Sequence, residues 1–381
     1  MSQYKSILVY GFALFAMFFG SGNLVFPIKI GQLTGEYWLL GFAGLFVTGI
    51  ILPFLGLFVI KLYKGDYTKF FGEAGSFAKV ALPLFTLSLL GSFGVVPRCI
   101  TVAFGGMEYL TPELPLSIFS ALFCIVTYYF GLKDESMVNS LGKWMCPILL
   151  VALVALIAVG IFSSSSLESS AEINPNKAFK DGFLIGYQTM DLFAAFFFSA
   201  LTFAQIQKIM PKNATHMDVV KFAVKPSILG AFLLSIIYLG FVYLGAHYAD
   251  VTAKVDPEYM LPSIAKHIMG DSAALFIAVA MLFSCLTTAV ALNNIYARYL
   301  CNLFKLKNDK FPIVLAITTF IAFTLSLLDF KGIAAFLAPC LEVSYPGIIA
   351  LTILSIITAK HQKLKMIVFY GVTIFMIVNV W

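Results

Sequence analysis

The chain has 381 residues, of which 60% are hydrophobic and 12% charged, and its mean hydropathy is +0.94. Soluble domains carry about 45–50% apolar and about 25% charged residues, so a single globular core is excluded and the chain is expected to lie in a lipid bilayer. The formal charge is +6, and no nucleic-acid partner is expected.

In a bilayer each helical span needs about 20 apolar residues, and every backbone amide must be paired. The apolar runs here are long and do not alternate, which argues for helices rather than a transmembrane barrel. They cover residues 5–30, 37–61, 78–110, 115–131, 143–162, 180–207, 222–248, 272–300, 311–328, 333–358 and 365–381, giving eleven spans. Lys5 followed by the first run mimics a signal peptide. The run is too long, however, and lacks an A-x-A-like end, so it reads as a retained span. The longest polar linkers fall at 163–180 and 249–271. The six cysteines form no C-x-x-C pair and suggest neither a disulfide framework nor a zinc site.

Assigning loops to alternate sides places 18 of the 25 basic residues on the side of the N-terminus. They include Lys61, Lys64, Lys69, Lys79, Lys133, Lys143, Lys212, Arg298 and Lys360. The basic-rich side is expected to be cytoplasmic. The N-terminus is then inside, and the chain ends outside at Trp381, an interfacial anchor.

Two spans carry residues that a membrane helix does not need. The first contains Gly20, Ser21, Gly22, Asn23 and Pro27. The sixth contains Gly182, Gly186 and Asp191 in "DGFLIGYQTMDLFAAFFF". They are five spans apart, so halves of five spans would have opposite orientation, the signature of an inverted-repeat transporter with discontinuous helices. The first repeat is expected over 5–162 and the second over 180–358, with an extra C-terminal helix at 365–381. Glycine releases the backbone from helical geometry, and Pro27 removes a hydrogen bond to the carbonyl of Asn23. Freed carbonyls can ligate a cation, and freed N–H groups at a half-helix start can hold a carboxylate. The competing reading is that these small residues simply allow close helix packing.

Asp191 sits in an apolar helix, where a charge is costly and usually functional; a structural ion pair is the alternative. Ser284, Thr287 and Thr288 follow an i, i+3, i+4 spacing on one helix face. Hydroxyls with a backbone carbonyl suit sodium better than a divalent ion, which wants several carboxylates. Their alternative is self-bonding to carbonyls one turn back. Arg98 and Glu342 both fall inside spans, and they either pair with each other or face an aqueous vestibule. Tyr10, Tyr187, Tyr238 and Tyr345 are candidates to line a cavity. Neither a catalytic constellation nor a pore-lining charge ring stands out, which disfavours a membrane enzyme or a channel.

"AMFFGSGNLVFP" (16–27), "VPRCITVAF" (96–104), "GFLIGYQTMD" (182–191), "CLTTAVAL" (285–292) and "YPGIIAL" (345–351) together resemble the bacterial branched-chain amino acid:cation symporter family. The resemblance implies an all-α polytopic protein of the LeuT-type fold, a 5+5 inverted repeat with discontinuous helices 1 and 6. It implies import of leucine-like amino acids across the cytoplasmic (inner) membrane of a bacterium with Na+ or H+ as coupling ion, and no other cofactor. It also implies an ion site formed by the carbonyls of Ala16, Phe19 and Ser284 and the side chains of Thr287 and Thr288. A second cation would lie near Asn23 and Asp191, beside a substrate held by Gly20, Ser21, Gly22, Asn23, Tyr187 and Asp191. The family usually has Ala where Ser21 stands, a small or apolar residue where Glu342 stands, and twelve helices rather than eleven. Another amino acid or small organic solute, moved with protons, is the alternative cargo.

Overall fold

The computed structural model describes residues 3–108, 111, 113–132, 135–164, 167, 174–211, 213–358 and 361–380. Trp381, expected as an anchor, lies outside them, as do Lys133, Lys212 and Lys360 of the basic side. The described residues form helices and connecting turns. Eight helical stretches are long and apolar enough to cross a bilayer, with shorter apolar helices at Tyr4–Phe18, Leu116–Leu132 and Leu149–Ser163.

The first span is α1 (Gln3–Phe18) followed by α2 (Ser21–Thr34). Gly35 takes φ 48°, a conformation that side chains resist, and ends α2. The second span runs through α3 (Trp38–Phe46), a wide turn over Val47–Ile51, and α4 (Leu52–Leu62). A short helix α5 (Tyr67–Gly72) follows, capped by Asp66, whose Oδ1 accepts from the N–H groups of Thr68 and Lys69 at 3.0 and 3.1 Å. The third span comprises α6 (Ala78–Leu90) and α7 (Val95–Met107), and the fourth and fifth are α8 (Leu116–Leu132) and α9 (Glu135–Ser163).

The sixth span is again divided, into α10 (Pro175–Gln188) and α11 (Asp191–Ile209). The seventh is α12 (His216–His247). Then come the short α13 (Ala249–Thr252) and α14 (Met260–Met269) before the eighth, α15 (Asp271–Leu303). Helices α16 (Phe311–Ser326), α17 (Asp329–Ile357) and α18 (Gln362–Val380) complete eleven spans among the described residues.

Two expectations need correction. The polar linker 249–271 is not plain loop. Its α14 buries Met260, Leu261, Ile264 and Ala265 against the bundle, because its apolar residues share one face although the helix is too short to span. The third span, expected to be continuous, is interrupted between Leu90 and Val95 by Gly-Ser-Phe-Gly.

Packing relates the two halves. Helix α2 lies on α12, and α10 lies on α3; likewise α1 meets α12 and α11 meets α4. Span 1 thus meets span 7 as span 6 meets span 2, a relation shifted by five. Both close contacts rely on glycine. A methyl group on Gly31 would stand 1.9 Å from the Val242 carbonyl oxygen, and one on Gly182 would stand 2.0 Å from that of Gly41. In a bilayer, where lipid is as apolar as leucine, such backbone approach is what draws helices together.

Candidate substrate and ion site

The interruptions of the first and sixth spans meet inside the bundle. In the first, Gly20 is extended (φ −115°, ψ −160°). Its N–H donates to the Phe18 carbonyl at 2.9 Å and to Asn23 Oδ1 at 3.0 Å, rather than to Ala16 four residues back. The carbonyl of Ala16 is thereby released from its helical donor. Pro27, inside α2, has no N–H to give to the carbonyl of Asn23.

In the sixth span the interruption falls at Thr189 and Met190. Thr189 Oγ1 closes α10 by donating to the Gly186 carbonyl at 2.9 Å. Met190 adopts the left-handed region (φ 60°, ψ 16°), a strained choice for a side chain with a Cβ. Asp191 then opens α11, where the helix dipole favours a negative charge. Gly182 and Gly186, expected to belong to the break, are helical. Gly186 serves packing: a methyl group there would meet Thr48 Oγ1 at 1.8 Å.

Asn23 and Asp191 join the two breaks. Asn23 Nδ2 donates to Asp191 Oδ2 at 2.8 Å and to the Tyr238 hydroxyl, and that hydroxyl donates to Asp191 Oδ2 at 3.0 Å. All three side chains are buried. The bond from Gly20 N–H to Asn23 Oδ1 fixes the amide, so its nitrogen, not its oxygen, faces the carboxylate. A methyl group on Gly22 would lie 3.3 Å from Thr189 Cα, so the breaks also touch through backbone. Ser21 Oγ accepts from Cys99 Sγ of α7 at 3.5 Å.

Tyr187 is buried at the end of α10 and packs tilted against Tyr345 of α17 with ring centroids 4.5 Å apart, and Phe193 packs tilted against Tyr345 at 4.6 Å. These rings form an apolar wall beside the polar hub.

On the other side of the first break, Ser284 Oγ donates to the Phe19 carbonyl at 2.9 Å. A methyl group on Gly20 would lie 3.5 Å from Thr288 Oγ1. Ser284 and Thr288 thus face the opened backbone, with neutral oxygens of the kind that suit a monovalent cation. Two details of the expected set differ. The Ser284 carbonyl accepts from Thr287 Oγ1 at 3.0 Å, so the side chain of Ser284 makes the cross-helix contact. Thr287 Oγ1 also donates to the Phe283 carbonyl at 3.0 Å, the self-bonded arrangement.

Arg98 and Glu342 do not pair. Arg98 Nη1 donates to the Gln188 carbonyl at 2.7 Å, and its Cζ lies 5.4 Å from the centre of the Phe26 ring. Glu342 is half-buried on α17, one turn before Tyr345. The end of α10 at Gln188 leaves that carbonyl to accept from the guanidinium. Tyr238 is the hub residue that sequence reasoning left among four cavity candidates. The available signal was a hydroxyl in an apolar helix, which needs a partner when buried.

Among the described residues no group of three His, Cys, Asp or Glu gathers as a metal centre. A helical bundle with two mutually facing helix breaks and a buried polar hub is the architecture of the LeuT-type fold. Solved structures agree: the inward-facing conformation of Mhp1 matches with a TM-score of 0.62 and 15% identity, covering 93% of this chain and 77% of that one. MhsT in complex with L-phenylalanine matches with a TM-score of 0.61 and 17% identity, covering 97% of both chains.

Residues 3–381 match the branched-chain amino acid transport protein family, and the chain belongs to that family. It is 30% identical to the branched-chain amino acid permease BraB of Bacillus subtilis (strain 168), over 93% of this chain and 80% of the relative. It is 27% identical to BrnQ of Escherichia coli (strain K12), over 92% and 80%. Its relatives are transporters, not enzymes.

Proposed function

We propose that the chain imports branched-chain or similar apolar amino acids by symport with Na+ across a bacterial cytoplasmic membrane. The observation that carries this reading is the meeting of two interrupted helices at the Asn23–Asp191–Tyr238 hub, with the Tyr187–Tyr345–Phe193 wall beside it. The substrate's charged end would lie at the half-helix ends near Gly20, Ser21, Gly22 and Asn23, and its apolar side chain against the rings. The coupling ion would lie among the carbonyls of Ala16 and Phe19 and the hydroxyls of Ser284 and Thr288. Asn23 and Asp191 bond to each other, so they are assigned to the substrate side rather than to a second cation. The named relatives, permeases for branched-chain amino acids, support the substrate class.

The repeats are assigned to 5–162 and 180–358, with 365–381 as an added helix. The exchanged pairing of spans 1–7 and 6–2 supports that division. The basic side, with the N-terminus, is assigned to the cytoplasm. Alternating access would move one group of helices against the other around the fixed site.

Proton coupling is the second reading, and Asp191, a buried carboxylate at the hub, is the observation that favours it. Uptake of radiolabelled leucine and methionine into proteoliposomes decides between them. Sodium symport predicts accumulation with an inward Na+ gradient and none with an inward proton gradient alone. Proton symport predicts the reverse. No gradient-driven uptake of either amino acid overturns the transport reading.

A further inference from the structure

Arg98 has a partnering deficit that the described residues do not fill. A guanidinium offers five N–H donors on three nitrogens in a planar fork, and burying it is costly unless those donors are met. Arg98 is completely buried. Nη1 reaches the Gln188 carbonyl, yet Nε and Nη2 have no hydrogen-bond partner among the described residues. No ion pair with Arg98 forms within 4.0 Å among the described residues. Asp191, whose charge acts on the guanidinium, is already bonded by Asn23 and Tyr238.

Among the other buried atoms without a partner is Gln188 Oε1, in the residue whose carbonyl Arg98 Nη1 meets. The guanidinium lies over the Phe26 ring of α2, and the next residue, Cys99, reaches Ser21 of the same helix. The N–H groups of Ser21 and Gly22 there belong to the first turn of a helix, where anions are favoured. An unmet buried cation thus packs on α2, whose first turn favours anions, and its two adjacent donors call for a planar one.

We propose that Arg98 is the anchor for the carboxylate of the substrate, taken by Nε and Nη2 as a paired fork, while Asp191 faces its ammonium group. Arg98 and Asp191 then present one charge of each sign to a zwitterion, and the Tyr187–Tyr345–Phe193 wall takes the apolar chain. This rests on the reading that the cargo is an amino acid. It sharpens that reading to α-amino acids with a free carboxylate. Ground for choosing a carboxylate over a simple halide is geometric, because the two unmet donors are adjacent and coplanar and match two oxygens of one group.

The test is competition of radiolabelled leucine binding to the purified protein by leucine and by leucinamide, which keeps the ammonium and side chain but lacks the carboxylate. Wild type is expected to bind leucinamide about 30-fold or more weakly than leucine, the loss typical of removing one partner of a buried charge pair. In Arg98→Gln, leucine binding should fall by a similar factor while leucinamide stays within about threefold, and Arg98→Lys should recover part of the leucine affinity. Equal loss of both ligands in Arg98→Gln, or loss of neither, overturns the proposal. A wild type that binds leucinamide as tightly as leucine overturns it without any variant.

A second measurement leaves Arg98 in place. Arg98 and Arg298 are the two arginines of the sequence, so Arg298→Lys leaves one. Phenylglyoxal should inactivate leucine uptake by this variant, with protection by leucine and none by leucinamide; equal protection by both overturns the proposal. Absence of leucine binding and uptake in wild type, by contrast, removes the amino-acid reading itself.

Discussion

Asn23 commits its whole amide across the break, with the oxygen on the Gly20 N–H and the nitrogen on Asp191 and Tyr238. Replacing it by Ala leaves a buried carboxylate with one donor fewer and a half-helix start without its cap. Leaving a buried polar group unmet costs about 1–3 kcal/mol. Asn23→Ala is therefore expected to lower thermal stability in detergent by that order and to reduce leucine uptake at least about tenfold. Uptake unchanged in a folded Asn23→Ala protein would remove the hub from the mechanism. The hydroxyls of α15 give a sharper residue-level contrast. Ser284 reaches the Phe19 carbonyl, whereas Thr287 is bonded to its own helix. The Na+ concentration for half-maximal uptake should rise about tenfold in Ser284→Ala, a single lost ligand of modest strength, and less than about threefold in Thr287→Ala. The reverse order would mean that the ion lies on the Thr287 side.

Among the elements, the contact of α3 with α10 depends on absent side chains, since a methyl group on Gly182 would lie 2.0 Å from the carbonyl oxygen of Gly41. Backbone cannot yield as a flexible side chain can, so Gly182→Ala should destabilise by about 1–3 kcal/mol or more, the cost of overpacking. Gly371→Ala on α18, where a methyl group meets nothing within 4 Å, should melt at or slightly above the wild-type temperature. Fluorescence-monitored melting of the two variants in one detergent checks the pair. The same glycines show how far the sequence could be read. Asn23 and Asp191 were legible because a polar side chain inside an apolar run is expensive and so needs a reason. Glycine was ambiguous: Gly20 opens a break, whereas Gly182 and Gly186, read as part of one, pack a continuous helix. The Gly91–Gly94 interruption escaped notice for the same cause, since glycine in a span signals either loosening or close approach and only the neighbour decides. Tyr238 and Arg98 were visible as residues but not as partners, because the contacts that define them come from spans far apart in the chain. Helix α14 was missed because it satisfies amphipathic packing rather than a spanning length.

At the scale of the molecule, the hub residues are buried, so a substrate can enter only if a covering element moves; the segment from α13 to α14, packed on α2, α9 and α15, is proposed as one such cover. Glu258 fastens it to α7. A methyl group on Gly105 would meet the Glu258 carbonyl oxygen at 2.7 Å, and the Glu258 side chain is buried with Oε2 unpartnered. Burial pushes its carboxyl up to about 7, with Asp256 and Asp329 adding in the same direction and Lys331 opposing them. Lys331 is itself paired with Asp256. A carboxyl raised on closure favours the closed cover while protonated. Its stabilisation is complete below the ordinary value of 4.5 and is lost as pH rises through about 7. The difference amounts to about 3 kcal/mol at most, from 1.36 kcal/mol per unit. Hydrogen-exchange protection of residues 257–269, corrected for the intrinsic exchange rate, should therefore fall between pH 5 and pH 8. In Glu258→Gln, which keeps the neutral shape at every pH, protection should stay high and flat. A Glu258→Gln protein whose protection falls with the wild-type profile would place the titrating group elsewhere.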